Sequence, residues 1–138
     1  MNDAIKPPYV GIIHKKGQFI VNWRYSALRK KGSNLCYIPG FDMYFSATND
    51  EMVRDKSKAV MRCFFDHIFI HNKKNSLKQL AIELKKKGFS AKEMDAMVMK
   101  KFLKNIPTNA NFSSNAQKPF DFNGAVEVNQ DAEMEIAC

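Results

Sequence analysis

The chain has 138 residues, 45% of them apolar, with eleven Phe, eight Met and a formal charge of +8. That is enough apolar mass for the core of one domain, which excludes a wholly disordered chain. No run of 18 apolar residues exists and "MNDAIKPPYV" lacks an apolar stretch, so neither a spanning helix nor secretion through a leader is expected.

In chain order, "YVGIIHKKGQFIVNWRYSAL" reads as a hairpin turned by "KKGQ". In its second arm Phe19, Val21, Trp23 and Tyr25 fall on one face and Asn22, Arg24 and Ser26 on the other, the period of two of a half-buried strand. "RKKGSN" is polar and predicts a loop. A third strand follows, alternating Phe41, Met43 and Phe45 against Asp42, Tyr44 and Ser46, with Pro39-Gly40 marking a bulge or an edge position.

The period then changes. Thr48 with Glu51 has the spacing of a capping box, and apolar positions recur at three and four residues from there. One long helix is predicted over about residues 50–71. "SLKQ" at 76–79 predicts a second helix ending at Gly88, and "SAKE" at 90–93 a third, ending before Pro107. From residue 106 the chain is rich in Asn, Ser and Pro and predicts a loop. "AVEVNQDAEMEIA" is expected to be an edge strand or disordered. The expected organisation is a body over residues 1–105 and a polar, acidic segment over 106–138.

Charge follows the same division. Residues 1–105 hold 21 Lys and Arg against 9 acids, and residues 106–138 hold one Lys against five acids. A basic body with an acidic tail points to an anionic partner or to a tail that folds back on the body. Lys15, Lys16, Arg24, Arg29, Lys30 and Lys31 gather on the first hairpin and its loop, interleaved with Trp23, Tyr25 and Tyr37. Cations beside aromatics suit phosphates and stacked bases, so these nine residues are the candidate contact site for a partner or a nucleic acid.

Other chemistry has weaker signals. Cys63, His67 and His71 share a helix face at four-residue spacing, but the outer pair lies about 12 Å apart along the axis, too far to meet on one ion. A buried thiol and a partly buried imidazole on the core stripe are expected, and no metal. Asp50, Glu51 and Asp55 flank a helix N-terminus, where the macrodipole stabilises acids without catalysis. Neither a nucleophile elbow nor a phosphate-binding glycine loop is present, so no cofactor and no enzymatic activity are expected. Three widely spaced cysteines, Cys36, Cys63 and Cys138, fit reduced thiols in a cytoplasmic protein.

The run "LCYIPGFDMYFSATNDEMVRDKSKAVMRCFFDHIF" resembles the HicB-like antitoxin pattern. Pro39, the turn at 46–50, Glu51, Ala59, Val60 and Phe64 stand where that pattern has its proline, turn, acidic cap and apolar helix positions. "SLKQLAIELKKKGF" is similar to the short helix some members carry next, and the resemblance covers roughly residues 9–89. It implies an α+β fold with a small antiparallel sheet of three or four strands packed on one long helix. Two shorter helices and a loosely ordered acidic tail complete the expectation. It also implies a non-enzymatic module that neutralises a HicA-type RNase toxin by docking against it, often as an oligomer.

Overall fold

The structure, a computed structural model, describes residues 6–122 and 126–137. Cys138 lies outside the described residues. β1 (Tyr9–Lys15) and β2 (Gln18–Arg29) form the expected hairpin, paired from Tyr9↔Arg24 to Lys15↔Gln18, with Gly17 at φ +76° in the turn. Phe19, Val21, Trp23, Tyr25 and Ala27 are buried on one face of β2, as its alternation predicts. Only the front of β2 pairs with β1. Leu28 and Arg29, at its far end, pair with Tyr37 and Cys36 of β3 (Leu35–Ile38).

The segment expected as a single third strand is a hairpin. β3 turns through residues 39–42 into β4 (Met43–Ser46), pairing Ile38↔Met43 and Leu35↔Ser46. Pro39-Gly40 is therefore a reversal and not a bulge; Gly40 at φ +84° and Asp42 at +54° take backbone conformations that only a tight turn demands.

α1 spans Asp50–His71 as expected, but its cap lies one residue later than Thr48. The Met52 N–H donates to Asn49 Oδ1 at 2.8 Å, while the Thr48 hydroxyl donates to the Met52 sulfur. Asn outranks Thr as a cap, which explains the shift. The buried stripe is Val53, Ser57, Met61, Phe65, Ile68 and Phe69. α2 (Ser76–Lys86) follows Asn75, and its first turn is closed from a distance. Asn105, at φ +62°, accepts from the Leu77 N–H at 2.6 Å and donates to the Lys74 carbonyl at 2.7 Å.

"SAKE" starts no helix. Residues Ser90–Lys92 are β5, and the true cap of α3 (Ala96–Leu103) is Asp95, which accepts from the Val98 N–H at 2.8 Å. β5 is drawn into the sheet by β6 (Ala110–Ser113), through Ser90↔Ser113 to Lys92↔Asn111, inside the segment expected as a loop. β6 in turn pairs β1, Tyr9↔Ser113 to Ile12↔Ala110.

The acidic tail forms the edge strand that was one of its two expected states, and is not loosely ordered. β7 (Val126–Ala137) pairs β2 along its whole length, Gln18↔Ala137 to Arg29↔Val126. The fold is α+β, but among the described residues the antiparallel sheet has seven strands where three or four were expected, in the order β4-β3-β2-β1-β6-β5 with β7 on β2. A strand has two edges. Since β7 takes one of them from end to end, β1 and β3 share the other. The tail is not a loose appendage: β6 and β7 belong to the same sheet as β1 and β2.

The helices bury the odd-numbered face of β2. Trp23 stacks on Phe65 at 4.2 Å between centroids, Phe19 tilts against Phe69, and Phe41 meets Phe64, Phe65 and Phe89. α1 lies over β2, β4 and β7; α2 packs between α1 and α3; α3 covers β6 through Phe102 against Phe112.

Candidate docking surface on the sheet

The period of two places even-numbered side chains of β2 and odd-numbered ones of β1, β6 and β7 on the face away from the helices. That face is polar. Tyr9 lies across Gly11, where a Cβ would collide with its ring, and its hydroxyl donates to Asn111 Oδ1 at 2.6 Å. Arg24 sits 5.8 Å from the Tyr9 ring centroid and donates from Nε to Asp131 at 3.3 Å. Ser26 donates to Asn129. Tyr9, Asn22, Arg24, Asp131 and Glu133 border a shallow depression of about 420 Å³.

Along β7 the pattern is stricter. Glu127, Asn129, Asp131, Glu133 and Glu135 are exposed, while Val128 and Met134 are buried and Gln130, Ala132 and Ile136 are half-buried. Alternate residues stand about 7 Å apart, so the acids form a stripe some 27 Å long. Of the stripe's four acids, only Asp131 has a salt-bridge partner among the described residues, Arg24, and that exposed pair contributes little to stability. β7 pairs only with β2 among the described residues, which leaves its outer edge with unpaired backbone N–H and C=O groups. A long unpaired edge is a template for another strand.

The nine sequence-chosen residues do not share one surface. Lys15 and Lys16 stand exposed at one end of β2, and Lys30 and Lys31 lie in the loop at the other end, about 35 Å away at the rise of a strand. Trp23 and Tyr25 face α1. Trp23 is 3% exposed, with its indole N–H unpartnered among the described residues, and Tyr25 is fully buried with its hydroxyl 3.0 Å from Ser57 Oγ. Burial pushes the Tyr25 phenol above its ordinary pKa. Arg24 alone of the trio faces solvent. Arg29 points to the helix side and pairs with Asp50 at 3.3 Å, tying β2 to the first turn of α1. Tyr37 is half-buried between Tyr44 at 4.7 Å and Phe122 at 5.6 Å, and it donates to Asp42. Burial, then the Asp42 carboxylate, hold its phenol far above the usual range.

Cys63, His67 and His71 are all exposed, a correction to the buried thiol and partly buried imidazole expected. Cys63 lies two residues past the buried Met61, about 200° around the helix, so the whole line faces away from the core. The His67 and His71 rings are 4.8 Å apart, and no group of three or more potential metal ligands forms among the described residues.

What sequence reasoning missed is the acidic stripe. Its signal is the alternation in "EVNQDAEMEI", which puts Glu127, Asp131, Glu133 and Glu135 at odd positions. No protein family, curated protein or solved structure compared with the chain matches it.

Proposed function

We propose that the protein is a non-enzymatic binding module that docks a small basic protein along β7, in an antitoxin-like role toward a HicA-type RNase. The acidic stripe on an unpaired edge carries this reading. A strand added to β7 gains main-chain hydrogen bonds, and Lys or Arg at every second position would meet Glu127, Asp131, Glu133 and Glu135. An acidic stripe also imitates the anionic substrate of a cationic RNase. Many chemistry-bearing side chains elsewhere already have structural work: Asp50 pairs Arg29, Asp66 pairs Arg62, Asp95 caps α3, and Tyr25 holds Ser57.

A second copy of the chain is the poorer occupant of this edge. Every antiparallel self-pairing of more than five residues that keeps Val128 and Met134 toward the helices sets acid against acid, such as Asp131 opposite Asp131 or Asp131 opposite Glu133, and like charges across strands destabilise. The test is titration of a HicA-type RNase from the same genome with the protein. Stoichiometric inhibition is expected, with affinity falling at least tenfold in the Glu133→Lys, Glu135→Lys double variant. Full RNase activity in the presence of excess protein would remove the reading.

One observation favours a nucleic-acid contact as the second reading. Tyr44, 63% exposed, rests on Tyr37 in the hairpin that follows the Lys30-Lys31 loop, an aromatic platform beside cations. Binding of a single-stranded oligonucleotide that weakens with salt and with Tyr44→Ala would support it; indifference to both removes it.

A further inference from the structure

We propose that the cleft between α2, β5 and α3 is a binding site for a small amphipathic anion, an apolar chain ending in a carboxylate. The cleft encloses about 510 Å³ and is walled by Ala81, Ile82, Phe89, Met99, Leu103 and Phe112, with Ser90 and Ala91 on its β5 side. That volume lies within the range of about 300–1,000 Å³ typical of small-molecule pockets, as does an apolar lining with few polar groups. Phe89 and Phe112 are buried beneath it, whereas Ile82 and Leu103 on opposite helices stand 36% and 42% exposed at its mouth.

Among the described residues Lys85 is the only charged side chain lining the cleft and has no ion-pair partner; the neighbouring bridge joins Lys86 to Glu83. Residues 78–104 carry eight lysines against three acids, so the field at the mouth is positive. An apolar body would cover the aromatic floor and its carboxylate would take Lys85, a charge-assisted contact at the rim. The site lies on the helical layer, away from the acidic stripe of β7, and does not depend on what β7 binds.

The probes are decanoate and decanol, titrated separately into the full chain below micelle-forming concentrations and followed by calorimetry and by backbone amide NMR shifts. Saturable binding of one decanoate is expected, with shifts centred on residues 81–91 and 99–112. Lys85→Met should weaken decanoate about tenfold, the loss of one charge-assisted contact, and leave decanol unchanged. Leu103→Glu, at an exposed position, should abolish both while the thermal transition confirms folding. No saturable binding, or decanoate and decanol affinities equal in the wild type, overturns the proposal. So does binding of an acidic amphipathic helical peptide without any of decanoate, which would make the cleft a protein groove.

Discussion

Tyr25 and Ser57 join β2 to α1 in the centre of the molecule, and removing one partner should cost more than removing the other. Both residues are fully buried. Ser57 Oγ donates to the Arg54 carbonyl at 3.0 Å, so the 3.0 Å contact with Tyr25 is made by the phenol hydrogen. In Ser57→Ala the phenol is left buried with no acceptor, a penalty of about 1–3 kcal/mol, of which helix propensity returns about 0.5. In Tyr25→Phe the serine keeps its own acceptor, so only a net hydrogen bond of about 1 kcal/mol is lost. The double variant has no orphaned donor and should lie close to Tyr25→Phe, well short of the sum. Urea unfolding measures all four corners of the cycle. In thermal unfolding each kcal/mol corresponds to about 3–5 °C for a chain of this size. If Ser57→Ala proves no worse than Tyr25→Phe and the two add, the assignment of donor and acceptor is wrong.

Alkali should destabilise the protein in a definite window. Cys36, Tyr25 and Tyr37 all have pKa values raised chiefly by burial, from ordinary values of 9.0 for the thiol and 10.0 for the phenols. Above pH 9 the unfolded chain therefore releases protons that the native state retains, and stability falls as pH rises; urea midpoints between pH 7 and 11 will show it, and a flat profile contradicts it. Asn105→Ala should cost about 2–3 kcal/mol, combining a lost cap on α2 with strain at φ +62°, whereas Asn105→Gly recovers the backbone part alone. Asn49→Ala should lower stability by about 1 kcal/mol, and Thr48→Ala should leave it nearly unchanged; equal effects would restore the capping box at Thr48.

Local signals were legible where a single residue type decides the conformation. The β1–β2 hairpin followed from alternation around Gly17, and α1 from a polar cap before an apolar period, both within a residue of their true limits. The errors share a cause. "SAKE" and "SLKQ" satisfy the spacing of a capping box, but spacing cannot show that Ser90 is claimed by Ser113 twenty-three residues on, or that Leu77 is capped by Asn105. The face of α1 was misread by a similar margin. Cys63 and His67 fit the three- and four-residue steps, yet the sheet selects the stripe through Ser57, Met61 and Phe65. As for the site, Arg24 was rightly placed on the open face, but its neighbours Trp23 and Tyr25 were credited to a surface that the period of two denies them.

β7 shows why net charge hid the acidic stripe. The formal charge of +8 averages a lysine-rich helical layer with one strand that carries four of the chain's fourteen acids. On that strand one alternation does two jobs. Val128 and Met134 must face the helices, and a slip of one residue against β2 would drive Glu127, Glu133 and Glu135 into the core, so the acids hold the register that displays them. Folding and the proposed docking are nonetheless separable, because all four acids are exposed. Changing Glu127, Glu133 and Glu135 together to Gln keeps the polar face and the register. Each exposed substitution should shift stability by less than about 0.5 kcal/mol. If β7 is the docking strand, that variant unfolds like the wild type and fails to hold a basic partner. A variant that keeps the partner moves the function to another face of the protein.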